Sequence, residues 1–372
     1  MTAIKYVLQL CHDYSFPFLD VARQYASLFK GTDYKVITVY LIGKKDLEVI
    51  RQTDSDEVLF LEYPPKSLKG LKRQPIRQIK QLCTDYHFYF AIAHRYQATY
   101  ILRNIKHLPV IGVNHSFGKF KRFSRRWFVN SHKKDLYLLG VSDAIRDEMR
   151  DSLPRFPQAQ IQTLYNRINI AQVCVQQQGK EAARKHLGLS QDSYVFANVG
   201  RLHPDKDQKT LINAFAKVAM KLPEALLFIV GQGRLENDLK QQVKQLNLQD
   251  KVVFAGVVPD AVRYFRAFDV FVLSSDHEPF GMVLLESIAA EVPVIATNAG
   301  GAREIVSDSQ WLFDIANEQQ LAQLMLTMYA LNIEQRQMIN QQNRQYLDAH
   351  FTDEAVKKTF WQLPFIKRIT EA

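Results

Sequence analysis

Cysteine is scarce: three residues in 372, Cys11, Cys83 and Cys174, odd in number and far apart. That excludes a disulfide framework and any cysteine metal-ligand spacing, and it fits a reducing compartment. Long apolar runs are missing too; none reaches the ~18 residues that span a bilayer. The opening residues, Met1-Thr-Ala-Ile-Lys-Tyr-Val-Leu-Gln-Leu10, lack the extended apolar core and small-residue cleavage site of a signal peptide. They read as a first strand, and the protein is expected in the cytoplasm. No internal repeat appears at a solenoid period.

What is present is apolar content, at 47%, enough for packed cores and too much for global disorder. At 372 residues the chain fits two α/β domains. Charge is lopsided. Residues 1–165 hold 26 Lys and Arg against 15 Asp and Glu, a net of +11, and the remainder nets −1. Such asymmetry speaks to partners and not to fold.

Strand-like and helix-like segments alternate. Residues 6–11, 35–43, 57–63, 88–93, 110–115 and 137–142 read as strands, and helical periodicity covers 16–29 and 75–83. The alternation predicts an α/β chain with doubly wound parallel sheets. The pattern breaks in the Gln-rich stretch around Gln176-Gln-Gln-Gly-Lys180. We therefore expect a first domain over 1–170, a linker over 171–189 and a second domain over 190–350. A terminal helix over 351–372 is expected to pack back on the first domain. In the second domain, 194–200, 225–231, 251–256 and 270–274 read as strands.

Chemistry concentrates in the second half. Gly200-Arg-Leu-His-Pro-Asp-Lys206 follows directly on a strand, where open α/β sheets bind ligands. Arg201 and Lys206 on that loop suit a diphosphate, by bidentate hydrogen bonds and as a point charge respectively. Read alone, they are equally two solvated charges. Gly231-Gln-Gly233 also ends a strand; it is too short for a dinucleotide fingerprint and reads as a tight turn with a supporting role at most. In His277-Glu-Pro-Phe-Gly-Met-Val-Leu-Leu-Glu286, Pro279 and Gly281 place Glu278 before a helix and Glu286 inside it. Eight residues of continuous helix would separate the two by ~12 Å, so they cannot act as a pair on one bond; they suit different parts of one long ligand, and read alone they are more simply a first-turn Glu stabilised by the helix dipole and an exposed surface Glu. The amides near Phe280, Gly281 and Met282 point out of a helix N-terminus, a natural phosphate site. Gly300 and Gly301 end another strand and permit close backbone approach to a ligand. Glu304, just beyond, reads as a helix cap.

In the first half, His115 ends a strand, where it suits a crevice between domains and, read in isolation, a structural histidine; Asp13, Tyr14 and Ser15 follow the first strand and are weaker candidates of the same kind. Two basic segments, Lys66–Arg77 and Gly118–Phe128, interleave cations with aromatic rings. Lys119, Lys121, Arg122, Arg125 and Arg126 suit an anionic membrane surface; an acidic glycan or single-stranded nucleic acid would suit them as well.

Together these residues resemble the retaining glycosyltransferases of the two-Rossmann-domain GT-B fold, family 4, also described as glycosyl transferases group 1. The motifs are Gly200-Arg-Leu…Lys206, the E-x7-E pair Glu278…Glu286, Gly231-Gln-Gly-Arg-Leu-Glu236 and Pro293-Val-Ile-Ala-Thr…Gly300-Gly-Ala-Arg-Glu304. The likeness is strong over roughly 190–310 and weak before it.

The resemblance implies two Rossmann-like domains facing an interdomain cleft, the second binding a nucleotide-sugar donor and the first a glycan or lipid-linked glycan acceptor. It implies that Arg201 and Lys206 hold the donor diphosphate, with Gly200 also at the donor, and that Glu286 binds the ribose. Phe280, Gly281, Met282 and Val283 would offer backbone contacts, and Glu278 and His115 would stand at the donor sugar as catalytic residues. Retention without a metal or other cofactor would follow. Asp54-Ser-Asp56, the Asp-x-Asp sequence in view, precedes an apparent strand in the variable half. The expected activity is transfer from a UDP-sugar in bacterial lipopolysaccharide, capsule or exopolysaccharide synthesis, with the enzyme held on the inner membrane face and no nucleic acid as partner. The rivals are another GT-B enzyme, an epimerase or a phosphorylase, and a nucleic-acid-binding protein. Two departures stand out. His12-Asp-Tyr-Ser-Phe-Pro-Phe18 replaces the family's glycine-rich loop, and Tyr165-Asn-Arg-Ile-Asn169 replaces its Asn-Gly-hydrophobic-Asp.

Overall fold

A computed structural model of the chain describes residues 4–15 and 17–371; Met1, Thr2, Ala3, Phe16 and Ala372, drawn above into the first strand, first helix and tail, lie outside the described residues. The chain forms two compact units. One comprises residues 1–167 together with 353–372, the other residues 168–352.

The first unit carries β1 (Lys5–Cys11), β2 (Tyr34–Tyr40), β3 (Glu57–Phe60), β4 (Phe88–His94), β5 (Val110–Asn114), β6 (Leu136–Gly140) and β7 (Ile161–Thr163). They pair in parallel in the order β3-β2-β1-β4-β5-β6-β7. Strands covered by helices on both faces read as unbroken apolar runs, and Phe-Tyr-Phe-Ala-Ile-Ala-His in β4 is buried at all but one position. The second unit carries β8 (Tyr194–Val199), β9 (Ala225–Val230), β10 (Val252–Gly256), β11 (Val270–Leu273), β12 (Val294–Thr297) and β13 (Leu312–Phe313), parallel in the order β10-β9-β8-β11-β12-β13.

Both sheets are thus doubly wound. Strand order reverses between β1 and β4 in one and between β8 and β11 in the other. Ligands of open α/β sheets bind outside the carboxyl ends of the strands at such a switch.

The stretch 171–189 is not a linker. It holds the helices Ile170–Gln176 and Lys180–Leu187, and it belongs to the second unit. Some side chains at its start and within it bond inside that unit. Asn169 caps the first helix by accepting from the Gln172 amide (2.9 Å), and Gln177 Nε2 donates to Val262 O (2.5 Å). The buried Arg184 guanidinium pairs with Asp269 at 2.7 Å.

The tail is two helices, Asp353–Gln362 and Pro364–Glu371, where one was expected. Pro364 disfavours helical backbone at Leu363 yet is at home in a first turn. Val356, Phe360 and Leu363 are buried as their spacing predicts. Trp361 Nε1 donates to Leu28 O (3.0 Å), the Phe360 ring meets Phe29 edge-on (5.5 Å between centroids) and Phe365 stacks on Tyr137 (4.7 Å). The tail is therefore part of the first unit's core.

Candidate functional site

In the second unit three loops leave the carboxyl ends of adjacent strands: 200–207 after β8, 274–281 after β11 and 298–301 after β12. Their contacts gather the residues singled out in the sequence. Lys206 Nζ donates to Glu278 Oε2 at 2.7 Å, joining the first loop to the second, and Glu278 is only 7% exposed. Ser274 Oγ donates to Lys206 O (2.8 Å), fixing the lysine's backbone from the β11 side. The Gly301 amide donates to Glu278 O (2.8 Å), which ties in the third loop. Glu278 Oε1 has no hydrogen-bond partner among the described residues.

Arg201 is placed differently. It is exposed and lies 3.6 Å from Asp205 Oδ2, so it is not folded into the Lys206–Glu278 pair. Asp205 also pairs with His203 Nδ1, leaving the arginine weakly held.

Phe280 is buried with its ring edge-on to Phe351 (5.8 Å), so only its backbone can serve a ligand. Gly281, at φ 107°, begins the helix Met282–Ala289 and contributes no side chain to cap it. A left-handed φ of that kind favours glycine. Glu286 sits five residues into the helix and is half-buried, as are Met282 and Val283.

The glycine pairs have a purpose the sequence did not reveal. A Cβ on Gly231 would stand 1.9 Å from Gly200 O, and one on Gly233 2.2 Å from Leu202 O. A Cβ on Gly300 would meet Glu278 O at 2.1 Å, and one on Gly301 would meet Phe280 Cα at 2.6 Å. Their close approach is to the neighbouring loop's backbone and not directly to a ligand. They let the loops bearing Lys206 and Glu278 nest against the strands beside them.

In the first unit the switch point holds a second cluster. His115 lies one residue past β5, with Nε2 at 3.3 Å from Nδ1 of His94, the last residue of β4. Burial pushes the His115 imidazole down to about 4, with Arg95 and Lys119 adding to the effect. His94 is fully buried and held well below its ordinary value, by burial first and by His115 second. Arg95 takes φ 74°, lies 3.6 Å from Asp13 Oδ2 and stacks over the Phe18 ring. Gln9 Oε1, from β1, lies 3.5 Å from His94 Nε2. The sequence reading missed His94, Arg95 and Gln9; the first two follow directly on an apolar run and carried that signal.

Tyr14 and Ser15 serve local structure. Tyr14 packs against Gly43 and donates to Lys44 O (3.1 Å), while Ser15 Oγ donates to Asp13. Asp54 and Asp56 pair with Lys30 and Lys35, and Asp56 also accepts from the Val36 amide (2.8 Å). Among the described residues no group of three His, Cys, Asp or Glu side chains gathers as a metal site would require.

The basic segment splits. Lys121 and Arg122 are exposed, whereas Lys119, Arg125 and Arg126 are half-buried. Arg125 lies over the Tyr96 ring (4.8 Å) and donates to Lys119 O. Phe123 and Trp127, on the helix Phe123–Ser131, and Leu71 are large apolar side chains left exposed on the first unit. Among the described residues no helix is long and apolar enough to cross a membrane.

Residues 179–346 match the family model described as glycosyl transferases group 1. An uncharacterized glycosyltransferase of Methanocaldococcus jannaschii is 27% identical over 311 residues, which cover 78% of this chain and 74% of that one. The lipopolysaccharide core biosynthesis glycosyltransferase LpsE of Rhizobium meliloti is 31% identical over 182 residues, 48% of this chain and 52% of its own. The chain spans about half the length of LpsE and less than half of some other curated relatives that it matches. Among solved structures, a glycosyltransferase of Rickettsia africae superposes with a TM-score of 0.84 at 18% identity, covering 99% of both chains. Anabaena HepE in complex with UDP gives 0.79 at 18%, covering 96% of this chain and 98% of its own. The fold is GT-B: two Rossmann-like parallel-sheet domains.

Proposed function

The chain carries a glycosyl transferases group 1 domain over residues 179–346, and from that premise we propose that it is a retaining, metal-independent glycosyltransferase. In this reading it moves a sugar from a nucleotide-diphosphate sugar, most simply a UDP-sugar, to a glycan acceptor in bacterial lipopolysaccharide, capsule or exopolysaccharide synthesis. The observation that carries the reading is the Lys206–Glu278 pair, which brings a cation and a carboxylate together at the switch point of the second sheet.

The residues divide the labour. Lys206 has three N–H donors and spends one on Glu278; the others are available to diphosphate oxygens. Arg201, loosely held, adds a bidentate donor. Both oppose the charge that grows on the diphosphate as it leaves, so they act on the transition state more than on the ground state. Glu278 Oε1 accepts from a sugar hydroxyl, and the amides at the start of the helix Met282–Ala289 add dipole stabilisation to the phosphates. Glu286, inside that helix, accepts from the ribose. The C1–O bond to the diphosphate breaks with its electron pair on the leaving oxygen. The acceptor hydroxyl forms the new C1–O bond on the same face, and its proton passes to the departing diphosphate. The name of the Rhizobium relative supports the acceptor class, and the UDP complex of the Anabaena protein supports the donor base. Exposed Phe123, Trp127, Lys121 and Arg122 support a peripheral position on anionic lipid.

Thermal unfolding with UDP, GDP, ADP and their common sugars tests the reading. A ligand of the native state alone raises the melting temperature, by about 2.7 kcal/mol of added stability at a hundredfold excess over Kd. One nucleotide class should shift wild type and not Arg201→Ala/Lys206→Ala. No shift with any nucleotide would sink the proposal.

A further inference from the structure

Gln9 lies in the middle of β1, fully buried among apolar neighbours. Its amide orientation is dictated by its partners. Gln9 Nε2 lies 3.0 Å from Ala22 O, a backbone carbonyl that can only accept, and 2.9 Å from Thr38 Oγ1. The nitrogen must therefore point there, and Oε1 faces the other way, toward His94 Nε2 at 3.5 Å. The contact is long, at the outer limit of a hydrogen bond, and the tautomer is assigned from its direction. A bare ring nitrogen facing a carbonyl oxygen would set lone pair against lone pair, so His94 carries its proton on Nε2.

A neutral imidazole has one N–H, and burial keeps His94 neutral. Its Nδ1 is then an acceptor. That nitrogen sits 3.3 Å from His115 Nε2, which must donate to it. His115, also neutral, is left with a bare Nδ1, and this atom has no hydrogen-bond partner among the described residues.

We infer that Gln9 and His94 are positioning residues that fix His115 as its Nε2–H tautomer, so that His115 offers Nδ1 as a hydrogen-bond acceptor to a ligand hydroxyl at the carboxyl end of β5. The use of that acceptor in sugar transfer rests on the function proposed above; the tautomer does not. The device explains a glutamine in mid-strand, where an apolar residue would pack at lower desolvation cost. It also makes His115 a hydroxyl acceptor from the outset, so that a ligand need not select one of two tautomers.

The test is long-range proton–nitrogen correlation of the histidine rings in the full-length, nitrogen-15-labelled protein at neutral pH, with no sugar nucleotide present. Signals are assigned by their loss in His115→Ala and His94→Phe. Both rings should show a protonated Nε2 and a bare Nδ1; a proton on His115 Nδ1 overturns the assignment. In His94→Phe the acceptor is gone and His115 should populate both tautomers. In His94→Asn, whose Oδ1 stands about where Nδ1 stood, the single tautomer should return. An unchanged His115 spectrum in His94→Phe also overturns the proposal, and if that variant does not fold, the wild-type and His94→Asn spectra decide alone. An even tautomer mixture would weaken sugar-nucleotide binding about twofold, the reciprocal of the competent fraction. Failure of the glycosyltransferase reading is seen separately, as the absence of any nucleotide-induced thermal shift.

Discussion

Lys206 and Arg201 look alike in the sequence and differ in the structure. Lys206 neutralises a buried carboxylate at 2.7 Å, while Arg201 is largely solvated. Lys206→Met should therefore cost about 3 kcal/mol, because it strands Glu278 as an unpaired buried charge. Arg201→Ala should stay within about 0.5 kcal/mol. Urea denaturation of the single variants checks this, and equal losses would contradict the described pairing. The two histidines give a second expectation. Their folded values lie below the unfolded one of about 6.5. The unfolded chain binds protons there first, so their contribution to stability is complete above that value. It is lost as pH falls toward about 4, the value for His115. The slope is at most about 1.4 kcal/mol per pH unit for each histidine. Melting temperatures measured between those values should fall with acidification, and replacing His94 and His115 by asparagine should flatten that limb.

At the scale of elements, the loops of the second unit hold their shape through glycines that admit no side chain. Gly231→Ala and Gly300→Ala would each force a Cβ to about 2 Å from a carbonyl oxygen, at positive φ. Both should lose more than about 1 kcal/mol and a larger share of nucleotide affinity. Gly179→Ala, where a Cβ meets open space, should change stability by less than about 0.5 kcal/mol. Calorimetric titration with the nucleotide that stabilises wild type separates the two effects. The same loops were the most legible part of the chain, because Gly200, Glu278 and Gly300 each stand just beyond an apolar run that predicts its own strand. The purpose of Gly231 and Gly300 was not legible, since it depends on a neighbouring strand's loop. Gln9 was hidden for a similar reason: its partners Thr38 and His94 are 29 and 85 residues away. The stretch 171–189 misled because polar composition resembles a linker whether its side chains meet water or, as with Arg184 and Gln177, carbonyls of their own unit.

For the whole molecule, the parallel α/β sheets followed from alternating patterns and the GT-B architecture from the family resemblance, but the boundary lay in particular contacts. Arg167 is the last residue of the first stretch and Asp353 the first of the returning one, and the two form an ion pair. Truncation after Thr352 should strip Phe29 and Tyr137 of their tail partners and leave the first unit partly unfolded and dye-binding, while residues 168–352 melt cooperatively. Calorimetry of the truncated chain checks this. At the same scale, charge reversal at Lys121 and Arg122 together with Trp127→Ala should lower binding to anionic vesicles. Each basic residue is worth about 1 kcal/mol, roughly fivefold; binding unaffected by all three changes would remove lipid as the partner of this surface. The return of the chain to its first unit also sets a timetable. A ribosome that has finished residue 167 must add the whole second unit, some 10–40 s of synthesis at usual rates, before the strip that completes the first unit emerges. Residues 1–167 thus wait for their completing strip, and for that interval the nascent protein carries an unfinished apolar surface while the second unit is still being made.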